Sequence, residues 1–419
     1  MIKTGETLYQ EKKKRIDDVI ALRQPDRVPI WFQDASFFPP RYAGITAREA
    51  MYDADKAFAA YKKTFMDFDP DLIFNPAFAL HTPGRAIEIM DCNMVALPGQ
   101  KGVPDNHSFQ FIEAEYMKQD EYDEFLDDPT GFTISKYLPR VFGTLKPLST
   151  LPPLTGFLFG YAGLPMSPAF IGEEILGAME AFCRSARIIG AHARKLEAFS
   201  MEMADLGFPI MCGGATLAPF DVIGDFLRGM RGIFMDMYRC PDKLLAAMER
   251  ITPLVISSAV NSCRITGNPS VFIALHRGSD AFMSLSQFET FYWPGLKRLI
   301  LALIDAGLTP CPFFEGDVTK RLEILSQLPK GKILGFFDKT DIYKAKEIIG
   351  DTMAISGFMP VSILQTGTPE MVKDYAKKLI DVLGKNGGFI MGPNSAMDEA
   401  NPELVKVWFD FTKRYGTYD

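Results

Sequence analysis

Glu315 and His276 are the two side chains of this sequence best placed to do chemistry together. Glu315 follows a short apolar run that ends at Phe314, and Gly316-Asp317 come next. His276 follows an earlier apolar run, residues 270–275, and leads into Arg277-Gly278-Ser279-Asp280. Each therefore stands where a strand gives way to a turn, on consecutive strands. A carboxylate and an imidazole brought to one point can pass a proton or share a divalent ion. Gly316 lets the chain behind Glu315 turn sharply, or lets a ligand come close. Asp317 is either a further catalytic carboxylate or the cap of the next helix. A catalytic zinc takes three protein ligands and keeps one position open. Glu315 and His276 supply two, and Asp317, Asp338 or Cys311 are candidates for the third. No HExxH or CxxC spacing accompanies them. The alternative is that Glu315 works as a plain acid or base.

Other strand ends carry the residues we assign to substrate contact. These are Gln33 and Asp34, Asn75, His81 in the following loop, Phe314, Asp338, Met359 and Asn394. What must position them is a repeated unit of strand and helix. A helical leader, 8–22, precedes a first strand at 26–32, an amphipathic helix follows at 47–68, and a second strand falls at 71–75. Further strands are expected at 209–212, 270–275, 311–314, 332–337, 353–356 and 388–391, each followed by a helical stretch. Continuous apolar strands alternating with helices indicate a parallel sheet covered on both faces. Eight such units point to a closed (β/α)8 TIM barrel, in which ligands bind at the strand carboxyl ends. A doubly wound open sheet would want a glycine-rich phosphate loop after strand one, and residues 33–40 hold no glycine. The alternation breaks between 80 and 170. There we expect a hairpin from 86–90, 94–97 and 108–112, helices at 121–126 and 135–145, and a Pro/Gly/aromatic stretch at 148–168. That whole region reads as a long insertion after strand two, a cover over the site within one domain, 1–419.

Bulk properties narrow the function. A net charge of -7 offers no phosphate-neutralising surface, which argues against a nucleic-acid partner. The six cysteines form no paired spacing and read as reduced thiols of a cytoplasmic protein. No signal peptide is apparent, and no apolar run approaches a membrane span. The 34 Phe and 21 Met fill a core, or line a pocket for a flat apolar substrate.

Several segments resemble the uroporphyrinogen decarboxylase superfamily. Pro25-Asp26-Arg27-Val28-Pro29 is similar to its opening PDRVP motif. Ser284 to Tyr292, followed by Trp293-Pro294, resembles its S-P-x-x-F-x-x-F-x-x-P helix, with Leu285 at the first proline. Gly357 to Val372, with Pro360 and Gly367-Thr368-Pro369-Glu370, resembles its GN-x-P … L-x-x-GTPEEV stretch, and Gly387-Gly388-Phe389-Ile390 its last strand. The resemblance spans nearly the whole chain and implies the same barrel.

The superfamily holds two chemistries, and the sequence departs from both. Its decarboxylases open with a Trp-x-Met-Arg-Gln-Ala-Gly-Arg stretch that grips many carboxylates. Here the matching run begins Trp31-Phe32-Gln33-Asp34, without the arginines, and Asn75-Pro76 stands near the decarboxylase aspartate. Its corrinoid-dependent methyltransferases often hold zinc through a His-x-Cys after strand five and a Cys after strand eight. Those positions match Phe313-Phe314-Glu315 and Asn394-Ser395, so Glu315 falls on a ligand position while the thiolates are absent. Demethylases of aromatic ethers in this branch are the most similar, through the Phe-rich mouth and the insert motif around Ser108-Phe109-Gln110-Phe111 and Glu115-Tyr116-Met117. The resemblance implies methyl transfer between a small methylated substrate and cobalamin on a partner corrinoid protein. Zinc at Glu315 and His276, and a homo-oligomer, remain open. A decarboxylase of a smaller acid and a silent binding homologue are the other classes.

Overall fold

The computed structural model describes residues 3–33, 37–75, 83–170 and 172–418. Strand β1 (Trp31–Phe32) pairs in parallel with β2 (Leu72–Ile73). A small antiparallel hairpin, β3 (Val95–Ala96) and β4 (Gln110–Phe111), stands apart. Six parallel strands follow: β5 (Gly214–Leu217), β6 (Ser270–Leu275), β7 (Thr309–Phe314), β8 (Leu334–Phe337), β9 (Ala354–Met359) and β10 (Phe389–Pro393). These six lie side by side in chain order. Ile30 bridges Met391, and Ile73 bridges Ile210. The two bridges join β1 to β10 and β2 to the segment entering β5. The ring therefore closes into the expected TIM barrel.

Large apolar side chains fill the barrel. The Trp31 and Phe336 rings lie 4.0 Å apart, and Phe74, Phe272 and Phe313 continue the layer at 5.7 and 6.2 Å. Much of the phenylalanine is therefore core, as interiors of small barrels demand. Strand β7 carries two prolines inside a buried parallel sheet. Thr309 donates toward β6, to Pro269 O at 2.9 Å. Alternation then turns Pro310 and Pro312 toward β8, where each lacks the N–H a ladder needs. Pairing of β7 with β8 is accordingly confined to Phe313 and Phe314, directly below Glu315.

The PDRVP motif is an anchor. Asp71, fully buried, accepts from Arg15 at 2.5 Å, Arg27 at 2.7 Å and the amide of Ile30 at 2.8 Å. Arg15 also holds Asp26 at 2.6 Å. The leader helix Gly5–Ile20 and the first two strands are tied at this point.

Three elements differ from expectation. The third strand of the ring is Gly214–Leu217 and lies wholly beyond the expected 209–212, of which only Ile210 makes a bridge among the described residues. Residues 86–90 belong to a helix, Gly84–Met90, which packs on the long helix Glu173–Asp205. The helix expected after strand one is broken at Asp53, whose carboxylate caps the second piece by accepting from the amides of Asp55 and Lys56. The insert has a small core of its own, Met90, Leu145, Leu148 and Ala178. The segment that leaves its hairpin is held by Arg228. This buried guanidinium bonds Met117 O, Glu115 and, at 2.6 Å, Asp236.

Candidate active site

Strands β6 and β7 run in register, with Leu275 opposite Phe314. The residues just beyond them must therefore meet. His276 Nε2 lies 3.6 Å from Glu315 Oε1. The other ring nitrogen, Nδ1, is bonded to Asp225 Oδ2 at 2.5 Å. Asp225 also accepts from Arg277 Nε at 2.8 Å. Four residues earlier, one helical turn away, Asp221 accepts from the amides of His276 and Arg277, each at 3.1 Å, and from the Tyr292 hydroxyl at 2.5 Å. The chain leaving β6 thus finds a carboxylate where its strand partner ends. One helix face fixes both the backbone and the ring of His276.

Charge follows from this packing. Burial works against a charged His276, but the Asp225 hydrogen bond and the charges of Glu315, Asp225 and Asp221 outweigh it, and the imidazole is pushed up to about 9. Burial lifts the Asp221 carboxyl to about 7, against the pull of His276 and Tyr292. Burial also holds Glu315 above the usual carboxylate range; His276 pulls it back while Asp225 and Asp338 add repulsion. At neutral pH the imidazolium donates one N–H to Asp225 and presents the other toward Glu315.

These groups line the floor of a cleft of about 650 Å³. Its walls are mostly apolar, with Met94, Phe111 and Ile112 from the hairpin side, Phe226 and Met230 beyond β5, and Phe282 beyond β6; Glu113, Arg277 and Lys339 add charge. Asp338 shares the floor. Its carboxylate accepts from the Gly316 amide at 3.3 Å and from Asn394 Nδ2 at 3.0 Å. Asn394 in turn accepts from the Val361 amide, so it positions Asp338. Gly316, at φ +82°, makes the turn that leaves Glu315 at the opening.

The remaining expected residues lie elsewhere. Asp317 caps the turn after Gly316, accepting from Thr319 N at 2.8 Å and Oγ1 at 2.6 Å. It does not line the cleft, which corrects the reading of it as catalytic. Phe314 stacks on Phe337 at 4.9 Å and walls a small cavity behind Glu315. Met359 is fully buried at the end of β9. Asn75 is buried and donates to Cys212 O at 2.7 Å, linking β2 toward β5. Gln33 is buried at the end of β1, and its Oε1 meets no partner among the described residues. Asp34 and His81 lie outside the described residues. Asp225, Asp221 and the cleft-lining Phe282 and Met230 were not anticipated. The available signal was the pair of aspartates four apart in Pro219–Arg228, a helical face next to a strand end.

The donor set falls short of a zinc site. Cys311 is buried within β7, its thiol pushed up to about 12 by burial, and Asp317 is committed to its cap. Among the described residues no three His, Cys, Asp or Glu side chains converge to hold a metal. His276 and Glu315 stop at two donors, one short of a catalytic zinc site. The pair fits a proton better than an ion.

Comparison with known proteins gives the same architecture. Residues 192–415 match the model of the uroporphyrinogen decarboxylase (URO-D) family. A uroporphyrinogen decarboxylase from Syntrophotalea carbinolica is 24% identical over 205 residues, which cover 48% of this chain and 58% of that protein. The match thus spans little more than half the length of that curated relative. A solved methyltransferase from Methanosarcina mazei superposes with a TM-score of 0.61 at 14% identity, over 96% of this chain and 98% of the other. At that identity the likeness is one of fold.

Proposed function

Because the chain belongs to the uroporphyrinogen decarboxylase family, we propose that it is a methyltransferase of that family. It takes the methyl group of a small aromatic methyl ether and passes it to the corrinoid of a separate protein. The observation that carries this reading is the His276 imidazole held between Asp225 and Glu315 on the floor of a cleft walled largely by Met, Phe and Ile side chains. The hard part of ether demethylation is the leaving oxygen, which must accept an electron pair as the methyl departs. The electron pair that takes the methyl would be the chemistry supplied by a reduced corrinoid on the docked partner.

The chain's own residues handle the oxygen. Met230, Phe282, Phe226 and Phe111 hold the flat ring and exclude water. Asp225 fixes the imidazole through Nδ1, so the Nε2–H faces the cleft. The methyl–oxygen bond breaks, its electrons stay on oxygen, and the proton moves from Nε2 to that oxygen. Glu315 keeps the imidazolium charged until then. Four carboxylates, Glu113, Asp225, Glu315 and Asp338, line the cleft with Arg277, Lys339 and the imidazole, and Arg277 is already held by Asp225. A lining so nearly balanced leaves no cluster of free cations to grip a polycarboxylate and favours a neutral donor. Three of the cleft's wall residues, Phe111, Met230 and Phe282, are themselves exposed, an apolar rim suited to docking the corrinoid protein.

The test is incubation of the pure protein with cob(I)alamin and a panel of methoxylated aromatics. Methylcobalamin should form with at least one donor, and His276→Gln should cut the rate by about 10²–10⁴. No methylcobalamin from any donor, or carbon dioxide release from a carboxylated analogue instead, would overturn the reading.

A further inference from the structure

From Pro147 to Gly172 the chain has no charged side chain. Its strap Leu154–Phe170 folds on itself: the Phe157 and Phe170 rings lie 6.0 Å apart, and a Cβ on Gly163 would sit 2.6 Å from Gly156 O. Its large side chains point away from the core, with Leu158 85%, Phe159 76% and Tyr161 89% exposed. The strap meets the helix Glu173–Asp205 at 91°. That helix buries Ile175, Ala178, Ala181 and Ser185 on one face. Its outward face, at helical spacing, runs Leu176, Glu180, Cys183, Arg187, Arg194, with Met179 beside it, all exposed. Soluble monomers seldom leave so many large apolar side chains open in one stretch of chain.

Charge along the outward face is divided. Glu173, Glu174 and Glu180 occupy its first part; Arg184, Arg187 and Arg194 occupy the next. All six are exposed, and none has an ion-pair partner among the described residues. Two copies of this helix packed antiparallel about Cys183–Arg184 would set Glu180 against Arg187, and Glu173 against Arg194, twice over. A two-fold interface needs that self-complementarity. The strap, at right angles to its own helix, would then lie across the second copy. At about 200 Å² for each fully exposed large side chain, the strap and the helix stripe expose on the order of 1,000 Å². A stable interface takes about 800 Å² per partner. A membrane surface fits less well, because the strap runs straight into Glu173-Glu174 and lacks the basic flank that holds such segments on anionic lipid.

We propose that the strap Leu154–Phe170 and the outward face of Glu173–Asp205 form a two-fold interface with a second copy of this chain. Sedimentation of the full chain should give twice the 46.8 kDa mass. Arg187→Glu should halve that mass, and adding Glu180→Arg should restore it, since the swap rebuilds both pairs. Leu158→Asp with Tyr161→Asp should also give monomer with unchanged circular dichroism. A short bis-maleimide should link the copies through Cys183, the one exposed cysteine among the described residues, and Cys183→Ser should abolish that link but not the dimer. A monomer at tens of micromolar overturns the proposal. So does a dimer indifferent to Arg187→Glu, or a monomer that cosediments with phosphatidylcholine vesicles until Leu158 is changed.

Discussion

Replacing Glu315 with Gln removes a charge while keeping shape, and its effect on His276 can be worked out from the geometry. The separation is 3.6 Å. Two unit charges at that distance interact by about 1.2 kcal/mol in water and roughly four times that at an effective dielectric of about 20. Side-chain exposure of 35% for His276 and 43% for Glu315 places the pair near the watery limit. About 1.2 kcal/mol corresponds to roughly one pH unit. His276, pushed up to about 9 in the native protein, should therefore titrate roughly one unit lower in Glu315→Gln. Carbon-labelled histidine NMR reads this directly, because the chain has only four histidines and His276→Gln identifies the resonance. Stability should follow with a definite sign. A raised histidine contributes stability that is complete below its unfolded value near 6.5 and lost as pH rises through about 9. Below the raised titration of Glu315 the wild type already carries a neutral group there. The melting difference between the two proteins should thus be confined to a window around neutral pH. A wild-type His276 that titrates at or below 6.5, or one that Glu315→Gln leaves unmoved, would refute the pairing.

Three further outcomes are expected. Asp225→Asn should lower the turnover of methyl transfer by on the order of 10²–10³ with little change in KM, because it removes the group that orients and charges the imidazole; a change in KM alone would remove Asp225 from the chemistry. Phe282→Ala should weaken aromatic donor binding about fivefold to tenfold in calorimetry, the worth of one ring contact, while the melting temperature of this part-exposed site stays put. Asp71→Asn should destabilise the fold by about 3–5 kcal/mol in denaturant titration, since Arg15 and Arg27 lose a fully buried counter-charge; a loss within 1 kcal/mol would mean the anchor is dispensable.

The barrel was legible because its strands are buried on both faces, and such strands announce themselves as apolar runs between helices. Strand β6 falls where the sequence places it, at Ser270–Leu275. The third strand lies later than the sequence suggests because Gly213-Gly214 resembles a strand terminator. In the structure these glycines serve close approach instead. A Cβ on Gly213 would lie 2.4 Å from Asn268 O, and one on Gly214 would lie 3.1 Å from Ala259 O, on the helix Pro241–Thr266. A glycine that yields room to a packed helix and one that ends a strand read alike in a single sequence. Residues 86–90 misled differently. Ala-Ile-Glu-Ile-Met alternates like a strand, but packing on the long helix behind it decided the outcome.

The same error hid half of the site. The strand-end rule found His276, Glu315, Asp338 and Asn394, which meet because neighbouring parallel strands end at one level. It could not find Asp225 and Asp221, which come from a helix and reach back across β6. Yet the requirement was deducible. An imidazole at a strand end needs a partner on its second nitrogen to fix its orientation, and in a right-handed barrel the helix after the preceding strand is the nearest source. Had β5 been carried to Leu217, the first turn of the following helix would have landed at the mouth with Asp221 and Asp225 on one face. The orienting carboxylate is therefore encoded one unit upstream of the residue it serves, and with it the pair His276 and Glu315 becomes an imidazole fixed at both ring nitrogens.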